Sequence, residues 1–208
     1  MNLIESNWSY FLGFIQADGH LQKGNGNKGK LSIELSIKDR DILEKFQSFI
    51  PFYSAIHNRT RTTNYKENYT SCTLSVYNVE FRDILVKWGM LYGKKSNIIS
   101  PPSINYNSID YWRGFIDGDG SLGITSHNLP FLSIITNSDK MAKAYIKFLS
   151  TITHKVKTTT RNKRDNVYNI MITKSDMINV ARHLYYNGCI ALQRKLDIVQ
   201  FILSKKAW

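Results

Sequence analysis

Residues 6–17 are apolar almost all the way round, with Trp8, Tyr10, Phe11, Leu12, Phe14 and Ile15, which predicts a buried helix. Ser6 or Asn7 offers its cap. A short strand follows at 20–22, then a glycine-rich turn at 23–30. Leu31, Ile33, Leu35 and Ile37 alternate with Ser32, Glu34, Ser36 and Lys38, the period of a strand with one dry and one wet face. Asp39 then offers a cap for a helix at 40–49 that turns Ile42, Leu43, Phe46 and Phe49 inward. Polar-faced strands at 55–63 and 69–77, joined by a hairpin at 64–68, lead into a helix at 79–88. Residues 97–107, with Pro101-Pro102, read as a linker.

After the linker the order restarts. A helix at 109–118 is followed by strands at 121–126 and 131–137 and by a helix capped by Ser138. Strands at 155–161 and 167–173 flank a basic hairpin, and a helix at 175–185 follows. A last helix, ending near Leu203, has no equal in the first half. The offset between the halves stays between 98 and 101, so the chain is an internal duplication. The expected fold class is α+β: two pseudo-symmetric α-β-β-α-β-β-α halves, each an antiparallel four-stranded sheet covered by helices on one face. The halves are 1–96 and 108–208, joined by 97–107, and they meet at a central pair of helices.

Those central helices carry the most repeated stretch. Phe11-Leu12-Gly13-Phe14-Ile15-Gln16-Ala17-Asp18-Gly19 aligns with Trp112-Arg113-Gly114-Phe115-Ile116-Asp117-Gly118-Asp119-Gly120 at an offset of 101. Gly13 with Ala17, and Gly114 with Gly118, place small residues four apart on one helix face. A mid-helix Gly costs roughly 1 kcal/mol against Ala, and a close helix–helix contact offsets that cost. The simplest partner for each helix is the other copy. Packed side by side and parallel, the two helices bring Asp18 and Asp119 to the same end. Both acids then face the negative end of a macrodipole and repel each other. A divalent cation reverses that sign, because Mg2+ takes carboxylate oxygens and keeps water positions open for a phosphate.

The repeated nonapeptide resembles the LAGLIDADG motif of homing endonucleases, in the single-chain form with two motifs. The likeness extends over nearly the whole chain through the duplicated element order. It implies that the eighth residue of each copy, Asp18 and Asp119, is the catalytic, metal-binding acid, with Gly19 and Gly120 beside it at the metal. Gln16 stands where the second copy has Asp117, and metal binding is not expected to depend on that place. The resemblance also implies two saddle-shaped sheets that follow a long DNA duplex, and a lysine after the last helix of each half. By matched position Lys95 and Lys195 are the candidates, with Lys94 and Arg194 adjacent. Lys38 is a third candidate, and its counterpart is Asn137.

Charge fits this partner. The net charge is +12 and the pI about 9.6, with an excess of Lys and Arg in both halves, so the chain suits a polyanion. The wet face of the first sheet is expected to carry Ser32, Glu34, Ser36, His57, Arg59, Arg61, Tyr69, Ser71, Thr73 and Ser75. That of the second carries Thr125, His127, Ser133, Lys155, Lys157, Thr159, Arg161 and Asn169, with Lys163 and Arg164 in the hairpin. Such side chains neutralise phosphates and read base edges, and the two faces differ in sequence, which predicts an asymmetric target. Cys72 and Cys189 stand far apart and predict no disulfide framework. The five histidines form no zinc pattern, and no apolar run reaches membrane-spanning length.

The function expected is a site-specific, Mg2+-dependent double-strand DNA endonuclease. It is expected to act as a monomer inside the cell, with the DNA of a bacterium, phage or organelle. An RNA-binding intron maturase, with the chain's own intron RNA as partner, and a non-catalytic DNA-binding protein on the same fold are the alternatives.

Overall fold

The computed structural model describes residues 1–62, 67–153, 156 and 160–205. The first half runs α1 (Ser6–Ala17), β1 (Gly19–Leu21), β2 (Leu31–Ser36), α2 (Arg40–Phe49), β3 (Ser54–Arg61), β4 (Tyr69–Val76) and α3 (Val79–Lys87). The second runs α4 (Ser108–Asp119), β5 (Ser121–Ile124), β6 (Pro130–Thr136), α5 (Asp139–Leu149), β7 (Tyr168–Thr173), α6 (Lys174–Leu184) and α7 (Gln193–Ser204). The first sheet has the antiparallel order β1-β2-β4-β3, and the second has β5-β6-β7. Most of the expected strand at 155–161, with Lys155, Lys157 and Thr159, lies outside the described residues, as does most of the 64–68 hairpin. Arg161 is described, and it forms a single bridge to Tyr168.

Periodicity explains the layers. In β2, Leu31 and Ile33 are buried; in β4, Cys72, Leu74 and Val76 are, and these pack beneath Phe46, Leu43 and Phe81 of α2 and α3. In the second half Leu132, Ile134, Ile170 and Ile172 face Tyr145, Leu149 and Met177 in the same way. Aromatic side chains fill the space between the layers: Phe11, Phe14, Phe46 and Phe49 form a cluster of edge-on contacts, and Trp112 leans on Tyr145 and Phe148.

Several local expectations are corrected. Helix α1 is preceded by Glu5, and neither Ser6 nor Asn7 caps it; Ser9 instead donates to the Leu3 carbonyl and accepts from the Asn107 amide. The strand at 31–38 stops at Ser36, whose hydroxyl accepts from the Lys38 amide (3.4 Å) and opens a 3-10 turn over Ile37–Asp39. Lys38 therefore sits in a turn rather than on a strand. Asp39 makes no side-chain cap on α2, because its carboxylate faces Arg194. The strand at 121–126 ends at Ile124, since Thr125 closes a loop with Leu129 through backbone and side chain; Thr125 and His127 thus belong to a turn, not to the sheet face. Ser138 caps α5 by accepting from the Met141 amide, as its position predicts.

Among the described residues no helix is long and apolar enough to cross a membrane.

Candidate active site

Helices α1 and α4 pack against each other in parallel through their glycines. A Cβ at Gly13 would lie 2.0 Å from the Tyr111 carbonyl oxygen, and one at Gly114 would lie 2.0 Å from that of Tyr10. At the next turn a Cβ on Gly118 would meet the Ala17 Cβ at 2.5 Å. The four small residues thus mark the contact, and both helices arrive together at Asp18 and Asp119.

Polar residues buried in this contact follow the same twofold pattern. Tyr10 donates to the Asp117 carboxylate (2.7 Å), and Tyr111, the matched residue, donates to Gln16. Asp117, fully buried, also accepts from Tyr185 (2.7 Å) and the Leu192 amide (2.8 Å). Gln16 donates to the carbonyls of Gly89 and Ser100. The sixth place of each copy therefore ties its motif helix to the other one and to the segment leading toward a lysine. Burial pushes the Asp117 carboxyl up, and the backbone and tyrosine bonds pull it back. Arg113, also buried, reinforces the second half by pairing with Asp110 and donating to the Leu184 and Ile190 carbonyls. Sequence reading missed this network, although a Tyr precedes the nonapeptide in both copies.

The two lysines meet the motif helices at their C-terminal ends. Lys95 donates to the carbonyls of Ile15 (2.7 Å) and Gly19. Lys195 donates to those of Ile116 (2.5 Å), Asp117 (2.8 Å) and Gly120 (2.7 Å). Ile15 and Gly19 match Ile116 and Gly120 at the offset of 101, so the lysines are equivalent caps. Each satisfies carbonyls that a helix leaves unpaired and sets positive charge at the negative end of the dipole. Burial lowers both ammonium groups to about 8, against the pull of the nearby carboxylates. Lys195→Met, which strips three carbonyls of their donor, is expected to destabilise the protein by about 1–3 kcal/mol in urea unfolding.

Asp18 and Asp119 are exposed at this end. Partial desolvation and then the charge of Asp119 raise Asp18 to about 6, with Lys195, Lys95 and Arg194 acting in opposition. The folded state thus binds more protons at Asp18 than the unfolded chain between about pH 4 and 6. Stability falls as pH rises through that window, and the penalty is complete above it. Asp18→Asn is therefore expected to melt higher than the parent in EDTA at pH 7.5, with the gap closing near pH 4.

The carboxylates offer hard oxygen donors that suit Mg2+. Among the described residues no group of three or more His, Cys, Asp or Glu could hold a metal; a cation held by two carboxylates alone would keep coordination positions for water and phosphate. The carbonyls of Gly19 and Gly120, expected beside the acids at the metal, each accept from a lysine. A cavity of about 110 Å3 opens beside Asp119, lined by Gln16, Lys95, Ile135 and Asn137 among others.

The surroundings of the acids differ. On the Asp18 side Arg194 pairs with Asp39 (3.1 Å), beside Lys38. At the matched place of the second half, Asn137 binds Arg161 through side chain (2.6 Å) and backbone (2.8 Å). Arg161 also pairs with Asp139 and lies over the Tyr168 ring, so it is a clamp inside the fold as well as a basic group. Of the other expected surface residues, Ser32, Glu34, Ser36, His57, Arg59, Arg61, Tyr69 and Thr73 share the outer face of the first sheet. Ser71 and Ser75 lie on that face but are buried, Ser71 beneath a bond to Glu34, which also pairs with Arg61 (3.0 Å). Ser133 is buried on the outer face of the second sheet, and Asn169 is exposed there. Lys163 and Arg164 are exposed in the turn before β7.

Two one-faced antiparallel sheets hung from a parallel helix pair, each helix ending in Asp-Gly, are the architecture of LAGLIDADG homing endonucleases. Residues 6–89 match the family model described as LAGLIDADG-like domain. Among solved structures, a lysine-to-alanine mutant of I-SmaMI matches with a TM-score of 0.58 at 14% identity, over 95% of this chain and 92% of that one. The homing endonuclease I-WcaI bound to its DNA recognition sequence matches at 0.57 and 15%, over 94% and 88%. Mesophilic variants from the homing endonuclease I-DmoI match at 0.56 and 15%, over 92% and 96%. A search of curated proteins finds no match.

Proposed function

We propose that the chain is a site-specific endonuclease that cuts both strands of a DNA duplex with divalent cations. The convergence of Asp18 and Asp119 at the end of one helix pair carries this reading. Carboxylates at a helix C-terminus, Asp18 raised by partial desolvation and then by the charge of Asp119, are costly to a purely structural protein and useful at a cation site. I-WcaI and I-SmaMI, which share the fold, have been described bound to DNA, I-SmaMI also in the presence of calcium ions. The charge of +12 suits the same partner.

Asp18 and Asp119 would hold the cations. A divalent cation there supplies Lewis acidity to a scissile phosphate and acidifies an attacking water. Lys95 and Lys195 act as positioning residues: they hold the last turn of each motif helix, and so the acid, in place. Their charge, with that of Arg194 and Lys38, favours the anionic transition state. Residues 1–96 and 108–208 would each cover one half-site, with 97–107 spanning between them, and one chain would suffice.

The test is incubation with a randomised duplex library in Mg2+ or in EDTA, followed by sequencing of the ends. Discrete Mg2+-dependent ends on both strands of one long site support the proposal. Selective retention without cutting indicates a binding protein, and the absence of both cutting and selective retention overturns the DNA reading.

A further inference from the structure

The two sheets differ in what their outer faces pair across strands. Ser32 faces Ser75, Glu34 faces Thr73 and Ser36 faces Ser71 in the first. Phe131 faces Thr173, Ser133 faces Met171 and Ile135 faces Asn169 in the second. Phe131, Ile135 and Met171 thus place three apolar side chains on the outer face of β6 and β7, where the outer face of β2 and β4 carries Ser32, Glu34, Ser36, Ser71, Thr73 and Ser75. Their neighbours on that face remain polar. Ile135 is 54% exposed and lines the cavity beside Asp119, while Phe131 and Met171 are partly exposed.

An apolar patch on an otherwise polar strand face needs an occupant. A second copy of the chain is a poor one, since three side chains fall well short of the roughly 800 Å2 per partner of a stable interface. Burying Asn169 and Thr173 beside them without partners would also be costly. The major groove fits better, because thymine presents a C5-methyl there and adenine an edge that Asn binds with two hydrogen bonds. Asn169 is the cross-strand partner of Ile135, so a methyl contact and an adenine contact lie side by side. Ser133, the cross-strand partner of Met171, adds no charge to this face.

We infer that Phe131, Ile135 and Met171 read thymine methyl groups, so that the half-site against the second sheet is rich in A·T pairs while the other half-site is read by polar and charged groups. The inference rests on the DNA reading proposed above. It is tested on the duplex selected from the library, with thymines replaced by uracils in one half-site at a time, which removes the methyl and leaves pairing intact. In one half-site each contacted methyl is expected to be worth about fourfold in binding. The variant Phe131→Ser, Ile135→Ser, Met171→Thr, which makes this face polar like that of the first sheet, is expected to bind thymine and uracil duplexes equally. A parent protein that retains its selected duplex yet ignores uracil in both half-sites overturns the inference and leaves the endonuclease proposal standing. So does self-association of the chain that the triple variant abolishes. Failure to retain any duplex overturns both.

Discussion

Asp18→Asn and Asp119→Asn proteins are expected to bind the selected duplex with near-parental affinity and to lose double-strand cleavage. Each change removes one charged oxygen ligand while preserving side-chain volume and the helix end that carries it. Loss of transition-state stabilisation at a cation site amounts to several kcal/mol, so single-turnover cleavage should fall by at least about a hundredfold. The folded state should not suffer, since Asp18 is the acid whose ionisation the fold resists. A variant that binds, melts no lower than the parent and fails to cut separates chemistry from recognition. Full-rate cleavage of both strands by either variant would remove the acids from the mechanism.

The second large effect concerns the helix contact. Gly114→Ala places a methyl 2.0 Å from the Tyr10 carbonyl oxygen, and Gly13→Ala does the same at Tyr111. The obstacle is backbone, so no rotamer change relieves it, and the helices must separate. Overpacking of this kind costs about 1–3 kcal/mol, and occasionally more, equivalent to roughly 2–12 °C in Tm for a chain of this size. Cleavage should fall further than stability, because the same shift moves Asp18 from Asp119 and strains the Tyr10–Asp117 and Tyr111–Gln16 bonds. Gly123→Ala is the control: its Cβ would come no closer than 3.4 Å to the Phe131 ring, and little change in melting is expected. Equal melting of Gly114→Ala and Gly123→Ala would contradict the close parallel contact.

How much of this was readable beforehand depends on what each residue's role required. The four small residues and two acids were legible because their spacing is local and occurs twice. The strand alternation of Leu31 to Ile37 and of Phe131 to Thr136 was legible for the same reason, since burial on one side leaves a period of two. Element ends were less so: Asp39 looks like a cap, but its carboxylate is drawn away by Arg194, a residue 155 positions on. Thr125 and His127 continue an alternating pattern that the Leu129 loop interrupts. The matched lysines could be named from the repeat, but their direction could not. They point into the helix ends, where unpaired carbonyls compete with solvent and phosphate for an ammonium group. The buried tyrosines hid in an apolar run because Tyr10 and Tyr111 read as core residues until partners across the interface are known.

The central claim is that Asp18 and Asp119 together hold divalent cations on a bound duplex. Calorimetric titration of Ca2+ into the protein on its selected duplex tests it most directly, with the parent compared against the Asp18→Asn, Asp119→Asn double variant. The account predicts saturable uptake by the parent complex and its loss in the double variant, with the duplex still bound. Equal uptake by both complexes would contradict it.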